Sequence, residues 1–405
     1  MPKSPFYSVQ IRDSGFNLTE FITSFDYEDS VSKDNTLDLQ LKTNNTDLID
    51  RRGLVEGVIL SFRFGFLRGA QSTTRFARVA NINADFGNDI RIRLKATDLG
   101  IAAKKNTSDR IWEKVTASTI ARQIATKYGL TPIVDDTTIV YPSIPQGNKT
   151  DYNFLKELAM GEANGSYRFF IRGNQLHFNR RNLNQASIKT FKWQRGDGGL
   201  ISFSPSSKET AKSGASKETT VLGMNAGIPD VQTSVTNTTA QDDTKLDNYA
   251  VHFNNDGERV TPSPSQSQAV TNDPNSTGEK FVVPNKTPQN GLNMANKIKK
   301  DVALKDLSAT AKIEMDPAIE ADQIATFENV SNKFSGNWYI QTVRYKIGGG
   351  FASSTLTLNR NAQSRPLEDN QQALVTNKVS GPDDTSVKKE VAQVNFDNDG
   401  NRVEI

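Results

Sequence analysis

The sequence contains no cysteine and only two histidines, His177 and His252. The absence of cysteine excludes disulfide bonds, thiolate metal sites and a cysteine nucleophile. His177 lies in a predicted strand with no second histidine nearby, which is typical of an imidazole used in packing. We therefore expect no metal or nucleophile site built on histidine or cysteine.

Long apolar runs are also absent, since no stretch approaches 18 apolar residues, and no membrane-spanning helix is expected. The first residues, MPKSPFYSVQ, lack the apolar segment of a signal peptide. The 49 basic and 46 acidic residues nearly cancel, which gives no sign of a nucleic-acid or anionic-membrane surface. We expect a protein without a membrane anchor, synthesised in a cytoplasm without a signal peptide.

Alternating apolar and polar residues dominate the first 100 positions and predict strands with one buried face. FITSFDYED and NTLDLQLK alternate in this way, and RFARVANINADFGNDIRIRLKATD predicts two strands that turn at residues 86–89. With 405 residues, the chain has room for two or three domains of this size.

The period changes between residues 107 and 180, where two helices and a hairpin are predicted. Thr116 suits the N-cap of a helix that Gly129 closes, and a second helix begins near Thr150 and ends by Gly165. The segment YRFFIRGNQLHFNR then predicts a hairpin that turns at Gly173. This pattern indicates a small α+β domain.

Polar residues dominate 204–278 and the segment after residue 365, and the apolar fraction of the whole chain is only 35%. Such segments bury too little apolar surface to offset the entropy of ordering them, so we predict a largely irregular insertion and a tail. Between them we predict a helix near 288–305 and a hairpin in NWYIQTVRYKIGGGFASSTLTLNRN.

The chain also contains an internal echo, in which residues 54–94 match 318–358 at a constant offset of 264 without gaps. Two unrelated antiparallel segments could match this well by chance, or the echo could reflect a duplicated β-barrel with one copy at each end of the chain. The matched pairs are Glu56 with Glu320, Leu60 with Ile324, Val79 with Val343, Ile92 with Leu356, and Leu94 with Leu358.

A second, shorter repeat is VHFNNDGERV at 251–260 and VNFDNDGNRV at 394–403, with seven of ten positions identical. Its Asp-rich centre resembles the start of a calcium loop, but the twelfth position, which should be a Glu, is Ser263 in the first copy and falls one residue past Ile405 in the second. Valine and phenylalanine at alternate positions before an Asp-Gly turn favour a small hairpin, which we interpret as a docking element used twice.

No residue is predicted to be catalytic, cofactor-binding or metal-binding. The carboxylate pairs Asp135–Asp136 and Asp383–Asp384 lie in loop contexts, and sequence does not place them across a cleft as a glycosidase requires. The glycines at 348–350 join strands instead of opening a helix, so they do not form a phosphate loop.

Three stretches together resemble a known family. They are LVEGVILSFRFG, the pair STIARQIATKYGLTPIVDD and QGNKTDYNFLKELAMGEANGSYRFFIRGNQLHF, and NKFSGNWYIQTVRYKIGGGFASSTLTLNRN. Their order and spacing resemble phage tail baseplate hub proteins of the late control protein D family, which are similar to the hub part of type VI secretion spike proteins.

The resemblance implies a mainly β fold with an α+β insertion: two tail-tube-like β-barrels per chain, a small α+β domain, a long polar insertion and a polar C-terminal tail. The expected domains are a first barrel (1–105), the α+β domain (106–185), a second barrel (186–203 and 279–365), the insertion (204–278) and the tail (366–405).

The resemblance also implies a function without chemistry. A homotrimer would form a pseudo-sixfold ring that joins a hexameric tail tube, or its initiator, to a trimeric central spike in the virion baseplate. Other baseplate proteins and the tape measure protein are further expected partners. The alternatives are a tail-associated enzyme that degrades peptidoglycan or glycan, and a β-rich adhesin or carbohydrate-binding module.

Overall fold

A computed structural model gives the structure of the chain. It describes residues 4–207 and 307–364 with short gaps at 45, 51–52, 163–165, 184, 194–198, 332–333 and 361. Leu304 and several short strands between 218 and 282 and between 395 and 403 are described as well.

Six antiparallel strands from the first hundred residues form the first sheet. A 3₁₀ turn (Thr19–Phe21) and a short helix α1 (Asp47–Asp50) lie in its connections. The predicted alternation is confirmed, because in the third and sixth strands the apolar side chains are buried and most polar side chains are at least partly exposed. The strands are β1 (Pro5–Ile11), β2 (Ile22–Ser30), β3 (Thr36–Thr43), β4 (Ile59–Phe66), β5 (Arg75–Phe86) and β6 (Ile90–Thr97).

The α+β unit follows, and it packs around a core of its own. The Thr116 hydroxyl accepts a hydrogen bond from the Thr119 amide at 3.2 Å, and Gly129 has a φ of 64°, so both predicted helix ends are confirmed. The predicted hairpin at Gly173 is present as well. The elements are α2 (Ile101–Lys105), β7 (Thr107–Ser108), β8 (Ile111–Thr116), α3 (Ala117–Lys127), β9 (Thr131–Val134), β10 (Val140–Pro145), β11 (Lys149–Thr150), α4 (Asp151–Met160), β12 (Tyr167–Arg172) and β13 (Gln175–Arg180).

The remaining strands include a second sheet and several shorter pairs. In chain order they are β14 (Ser187–Lys192), β15 (Leu200–Ser207), β16 (Glu218–Asn225), β17 (Ile228–Thr236), β18 (His252–Phe253), β19 (Arg259–Val260), β20 (Ser267–Ala269), β21 (Glu279–Val282), β22 (Leu307–Glu314), β23 (Ile324–Glu328), β24 (Gly336–Gly348), β25 (Phe351–Arg360), β26 (Ala362–Ser364), β27 (Asn395–Phe396) and β28 (Arg402–Val403). The second sheet has the order β14-β23-β24-β25-β22-β15.

Part of the predicted insertion forms strands, and β15 extends into it as far as Ser207, while the irregular character of the rest stays a prediction. β16 pairs antiparallel with β17 and parallel with β21. Threonine and valine recur along these strands, and β-branched residues favour extended backbone even where apolar content is low. The helix predicted near 288–305 falls outside the described residues, apart from Leu304.

The two large sheets are copies of one topology. Numbered by their order along the chain, the six strands of each sheet lie side by side as 1-4-5-6-3-2. Each copy also has a bulge at the same point of its fifth strand, after Val79 in β5 and after Ile340 in β24. One pairing differs, since β1 runs antiparallel to β4 whereas β14 runs parallel to β23. Shared strand order and a shared bulge confirm that 54–94 and 318–358 fold as equivalent strands.

The constant offset of 264 is nevertheless wrong at the level of single residues. Val79 exchanges both backbone hydrogen bonds with the segment before β4, and Ile340 does the same before β23, so Val79 is equivalent to Ile340 and not to Val343. The strand registers then place Ile82 with Val343 and Leu94 with Leu356. The offset is therefore 261 in the fifth strand and 262 in the sixth, because the turns between strands differ in length.

Candidate functional site at the junction of the sheets and the α+β unit

The two sheets join where β2 pairs antiparallel with β24, from Ser24 opposite Gly348 to Ser30 opposite Thr342. Tyr27 and Tyr345 lie directly opposite each other with ring centroids 6.0 Å apart, and Phe64 of β4 contacts the Tyr345 ring at 4.5 Å. Burial raises the pKa of Tyr27 to about 12 and that of Tyr345 well above its ordinary value, so both stay neutral. The junction thus continues the apolar core of one sheet into the other.

Charged side chains lie at the edge of this aromatic cluster. Arg75 of β5 is 5% exposed, donates to the Tyr27 hydroxyl at 3.1 Å and pairs with Glu320, which precedes β23. Burial alone would lower the pKa of Arg75, but Tyr27, Asp29 and Glu320 raise it above its usual range. A buried guanidinium in such contacts stays charged and links the first sheet to the second.

Arg172 of β12 brings the α+β unit into the same network. Its Nε donates to Asp29 at 3.0 Å, its Nη1 to Glu320 at 3.1 Å and its Nη2 to the carbonyl of Ala321 at 2.7 Å. The fully buried Asp29 also accepts a hydrogen bond from the Ala321 amide at 3.1 Å. One guanidinium therefore contacts both sheets, through two carboxylates and a carbonyl.

Arg168, four residues earlier on the same face of β12, makes a second contact of this kind. It forms an ion pair with Asp322 and donates to the Tyr339 hydroxyl at 3.2 Å, and that hydroxyl donates to Asp322 at 2.9 Å. Burial lowers the pKa of Arg168 to about 10, so the side chain stays charged at neutral pH. The loop at 320–322 thus receives two arginines from one strand.

His177 lies between these arginines and makes a packing contact. It sits opposite Phe170 in the hairpin, with the two rings stacked at 4.4 Å. Its Nε2 is buried and has no hydrogen-bond partner among the described residues. Burial and the neighbouring Arg172 and Arg168 lower the pKa of His177 to about 3, which keeps the imidazole neutral.

Two buried carboxyl groups titrate far from their usual range. Asp98, at the end of the first sheet, accepts hydrogen bonds from the Gly100 and Asn35 amides, yet burial raises its pKa to about 7. Burial likewise raises the pKa of Glu162 to about 7, while Tyr141 donates to it at 2.7 Å. The two groups accept hydrogen bonds from different residues, and no hydrogen bond or ion pair joins them among the described residues.

The carboxylates that the sequence offered as candidates for a catalytic pair make ordinary hydrogen bonds and ion pairs where the structure describes them. Asp135 accepts a hydrogen bond from the Arg180 amide and Asp136 pairs with Arg122, while Asp383–Asp384 lies outside the described residues. In the described parts of the chain, no group of three acidic or histidine side chains is placed to hold a metal ion. The same residues include no helix of the length and apolar content needed to cross a membrane.

The repeated V-x-F-x-N-D-G-x-R-V motif forms a hairpin in both copies. His252 pairs with Val260 and Phe253 with Arg259 in the first copy. In the second, Asn395 pairs with Val403 and Phe396 with Arg402. The interpretation of the motif as a hairpin is confirmed, and its role as a docking element stays a prediction.

The charged network at the junction was missed by the sequence analysis, although a signal for it exists. Asp29 shares the buried face of β2 with Phe25 and Tyr27, and Arg75 shares the buried face of β5 with Ala77 and Val79. A charged residue in phase with apolar neighbours is expensive to bury unless it is paired. The alternation therefore marked both residues as members of a buried ion network, without showing their partners.

Comparison with solved structures shows the same architecture in phage tail proteins. A 43 kDa tail protein of prophage MuSo2 from Shewanella oneidensis matches with a TM-score of 0.62 and 12% identity, over 88% of this chain and 99% of its own. A tail protein from Neisseria meningitidis MC58 matches with a TM-score of 0.59 and 11% identity, over 88% and 97%.

An E. coli component of the type VI secretion system matches with a TM-score of 0.51 and 7% identity, over 85% of this chain and 76% of its own. No family model and no curated protein matches the chain. The chain therefore has a mainly β fold like that of these tail and secretion-system proteins, in line with the resemblance.

Proposed function

We propose that this chain is a structural hub of the baseplate in a phage tail or a related contractile injection machine. The observation that carries the proposal is the duplicated six-stranded sheet, with the same strand order and the same bulge in both copies. Three chains with two copies each supply six similar units. Such a trimer can match a hexameric tail tube on one side and a trimeric central spike on the other.

The junction network suits a part that transmits force without chemistry. Arg75, Arg168 and Arg172 tie the two sheets and the α+β unit together through buried, hydrogen-bonded ion pairs. Breaking such a pair is costly because the remaining charge stays buried. We propose that the three parts move as one body and that the protein has no catalytic activity.

The proposal includes the domain division given above, except that residues 204–207 belong to the second sheet because β15 ends at Ser207. It also places the protein in the virion. We assign it to the tail baseplate, next to the tail tube or its initiator, the central spike and other baseplate proteins, with the tape measure protein as a further neighbour. The neighbours with this fold are described as a prophage tail protein and a component of a secretion system.

Light scattering during size-exclusion chromatography tests the proposal. A trimer of 44.7 kDa chains has a mass of about 134 kDa, three times the chain mass. Class-averaged electron micrographs of that species should show a ring with six similar lobes, and a peptidoglycan turbidity assay should show no clearing. A monomer at micromolar concentration, or clearing that a single carboxylate substitution abolishes, would contradict the proposal.

A further inference from the structure

Two strands, β2 and β24, form the junction between the sheets, and the strand equivalent to each of them has an edge that no described strand covers. At the junction, β2 covers the side of β24 that β25 leaves open. The equivalent of β2 in the second sheet is β15, and the equivalent of β24 in the first sheet is β5. Among the described residues, β15 pairs only with β22.

The free edge of β5 covers residues 80–86, which we name the distal β5 edge. β4 pairs only with Arg75–Arg78, and the last backbone bonds on that side are those of Val79. β6 occupies the opposite side along the whole segment. In the described parts of the chain, no strand takes the place at the distal β5 edge that β2 takes beside β24.

The side chains of the distal β5 edge are also more exposed than their equivalents in β24. Ile82, Ala84 and Phe86 alternate with polar residues and share a face with their buried partners on β6. Their equivalents in β24, Val343, Tyr345 and Ile347, are buried in the stretch where β2 pairs with β24, whereas Phe86 is 64% exposed. The apolar stripe of the distal β5 edge is therefore exposed, whereas the equivalent stripe of β24 has a neighbouring strand, β2.

We propose that β15 of one chain pairs antiparallel with the distal β5 edge of a second copy of this chain. The contact repeats between chains the pairing that joins β2 to β24 within a chain. It is head to tail, so successive chains close into a ring if the rotation permits. This inference rests on the proposed trimer and names the strands that assemble it.

The strand equivalences also give the register of this pairing. Phe25 of β2 lies opposite the residue of β3 that faces Leu94. Phe203 of β15 lies opposite the residue of β22 that faces Leu356, the equivalent of Leu94. Phe25 therefore corresponds to Phe203. Phe25 lies opposite Ile347, so Phe203 should lie opposite Phe86 of the next chain, and Ser204 opposite Asp85. Pro205 lacks an amide hydrogen, so the ladder has one bond fewer than that of β2 at this point.

Engineered disulfides test the register, and the absence of cysteine from the chain gives a clean background. Directly opposed residues have Cβ atoms about 4.5–5.5 Å apart, close enough for a disulfide after a small adjustment. The full-length chain carrying Ser204→Cys and Asp85→Cys should oxidise to a covalent closed trimer. Mixing chains that carry one substitution each should give a covalent dimer.

Two matched controls accompany this variant. Asp26→Cys with Lys346→Cys, the equivalent pair within one chain, should form an intrachain disulfide under the same conditions. Ser204→Cys with Lys95→Cys places the second thiol on the exposed side of β6 and should remain unlinked. Equal linking at Lys95 would overturn the inference, since it would show random collision.

A substitution that removes apolar contact tests the same surface without cysteine. Phe86→Ser should raise the dissociation constant of the trimer at least tenfold. Phe351→Ser removes an even more exposed phenylalanine from the other hairpin tip, outside the proposed contact, and should leave the constant within twofold.

The outcomes separate this inference from the proposed function. A trimer by native mass spectrometry that fails to link 85 to 204, while the intrachain control links, overturns the strand pairing and leaves the hub proposal intact. A monomer under those conditions overturns the hub proposal and the pairing with it. A linked trimer that Phe86→Ser weakens supports both.

Discussion

Single buried charges determine how the parts of this molecule hold together. Asp29 has no solvent-exposed surface and has Arg172, Arg75 and the Ala321 amide as neighbours. A buried ion network adds little net stability compared with apolar residues of the same shape. Removing one partner is nevertheless costly, because the other charge is left buried and unpaired. These residues therefore fix the relative position of three segments that are far apart in sequence.

Replacing Arg172 with methionine should lower the free energy of unfolding by about 3–5 kcal/mol, because the buried Asp29 loses its nearer ion-pair partner. Arg172 lies 3.0 Å from Asp29, whereas Arg75 lies 3.8 Å away. Urea denaturation followed by circular dichroism measures the change. Arg344→Met serves as the control, since Arg344 pairs with Asp26 at the surface and should cost at most about 1 kcal/mol. A loss below 1 kcal/mol in the Arg172 variant would show that the network is dispensable.

Asp98 should make the protein less stable as the pH rises from about 4 to about 7. Its pKa is about 7 in the folded chain, above the ordinary value near 4, so the folded state binds the proton more tightly in this interval. Stability present at low pH is then lost as the carboxyl ionises in its buried site, by at most about 4 kcal/mol.

Asp98→Asn should remove this part of the pH dependence, as read from urea midpoints between pH 4 and 8. Asp89→Asn, at an exposed pair with Lys42, should keep the wild-type slope. An Asp98→Asn profile parallel to that of the wild type would rule out the raised pKa.

At the scale of elements, the alternation of residues predicted most of the strands correctly, and caps predicted the two longer helices of the α+β unit. Thr116, Gly129 and Gly173 act through local geometry, which a sequence displays directly. The pairing of β2 with β24 joins residues more than 300 positions apart, and no local pattern specifies such a partner. The constant offset of 264 between the two copies was wrong for a related reason. Turns of different length change the numbering offset between equivalent strands, while the alternation of apolar and polar residues stays the same.

The two hairpins with the sequence V-x-F-x-N-D-G-x-R-V should serve as docking elements, because an isolated two-stranded hairpin is marginally stable in water. Deleting residues 394–405 should leave a trimer of normal mass that attaches poorly to its spike or baseplate neighbour in an assembly assay. Deleting the equally long segment 371–382 is the control and should leave attachment unchanged. Normal tail assembly by the chain without 394–405 would refute the docking role.

At the scale of the whole molecule, the two sheets share one apolar core and the α+β unit has another. Phe64 of the first sheet contacts Phe25 of its own sheet and Tyr345 of the second sheet. Two sheets that share a core are expected to unfold together, because unfolding one sheet exposes the apolar side chains that the other sheet packs against. The duplicated sheets should therefore unfold as one unit even though each has a complete set of six strands.

Phe64→Ala tests this shared core from the first sheet. It removes a fully buried ring and should cost about 3–5 kcal/mol of unfolding free energy. Hydrogen exchange should then show faster exchange in β25 of the second sheet as well as in β4, since both depend on the contact with Tyr345. Phe154→Ala, in the core of the α+β unit, should accelerate exchange in α3 and α4 by more than in β25. If Phe64→Ala left β25 at its wild-type protection, the two sheets would be independent folding units, and the rigid body that the proposed hub requires would depend on the arginine network alone.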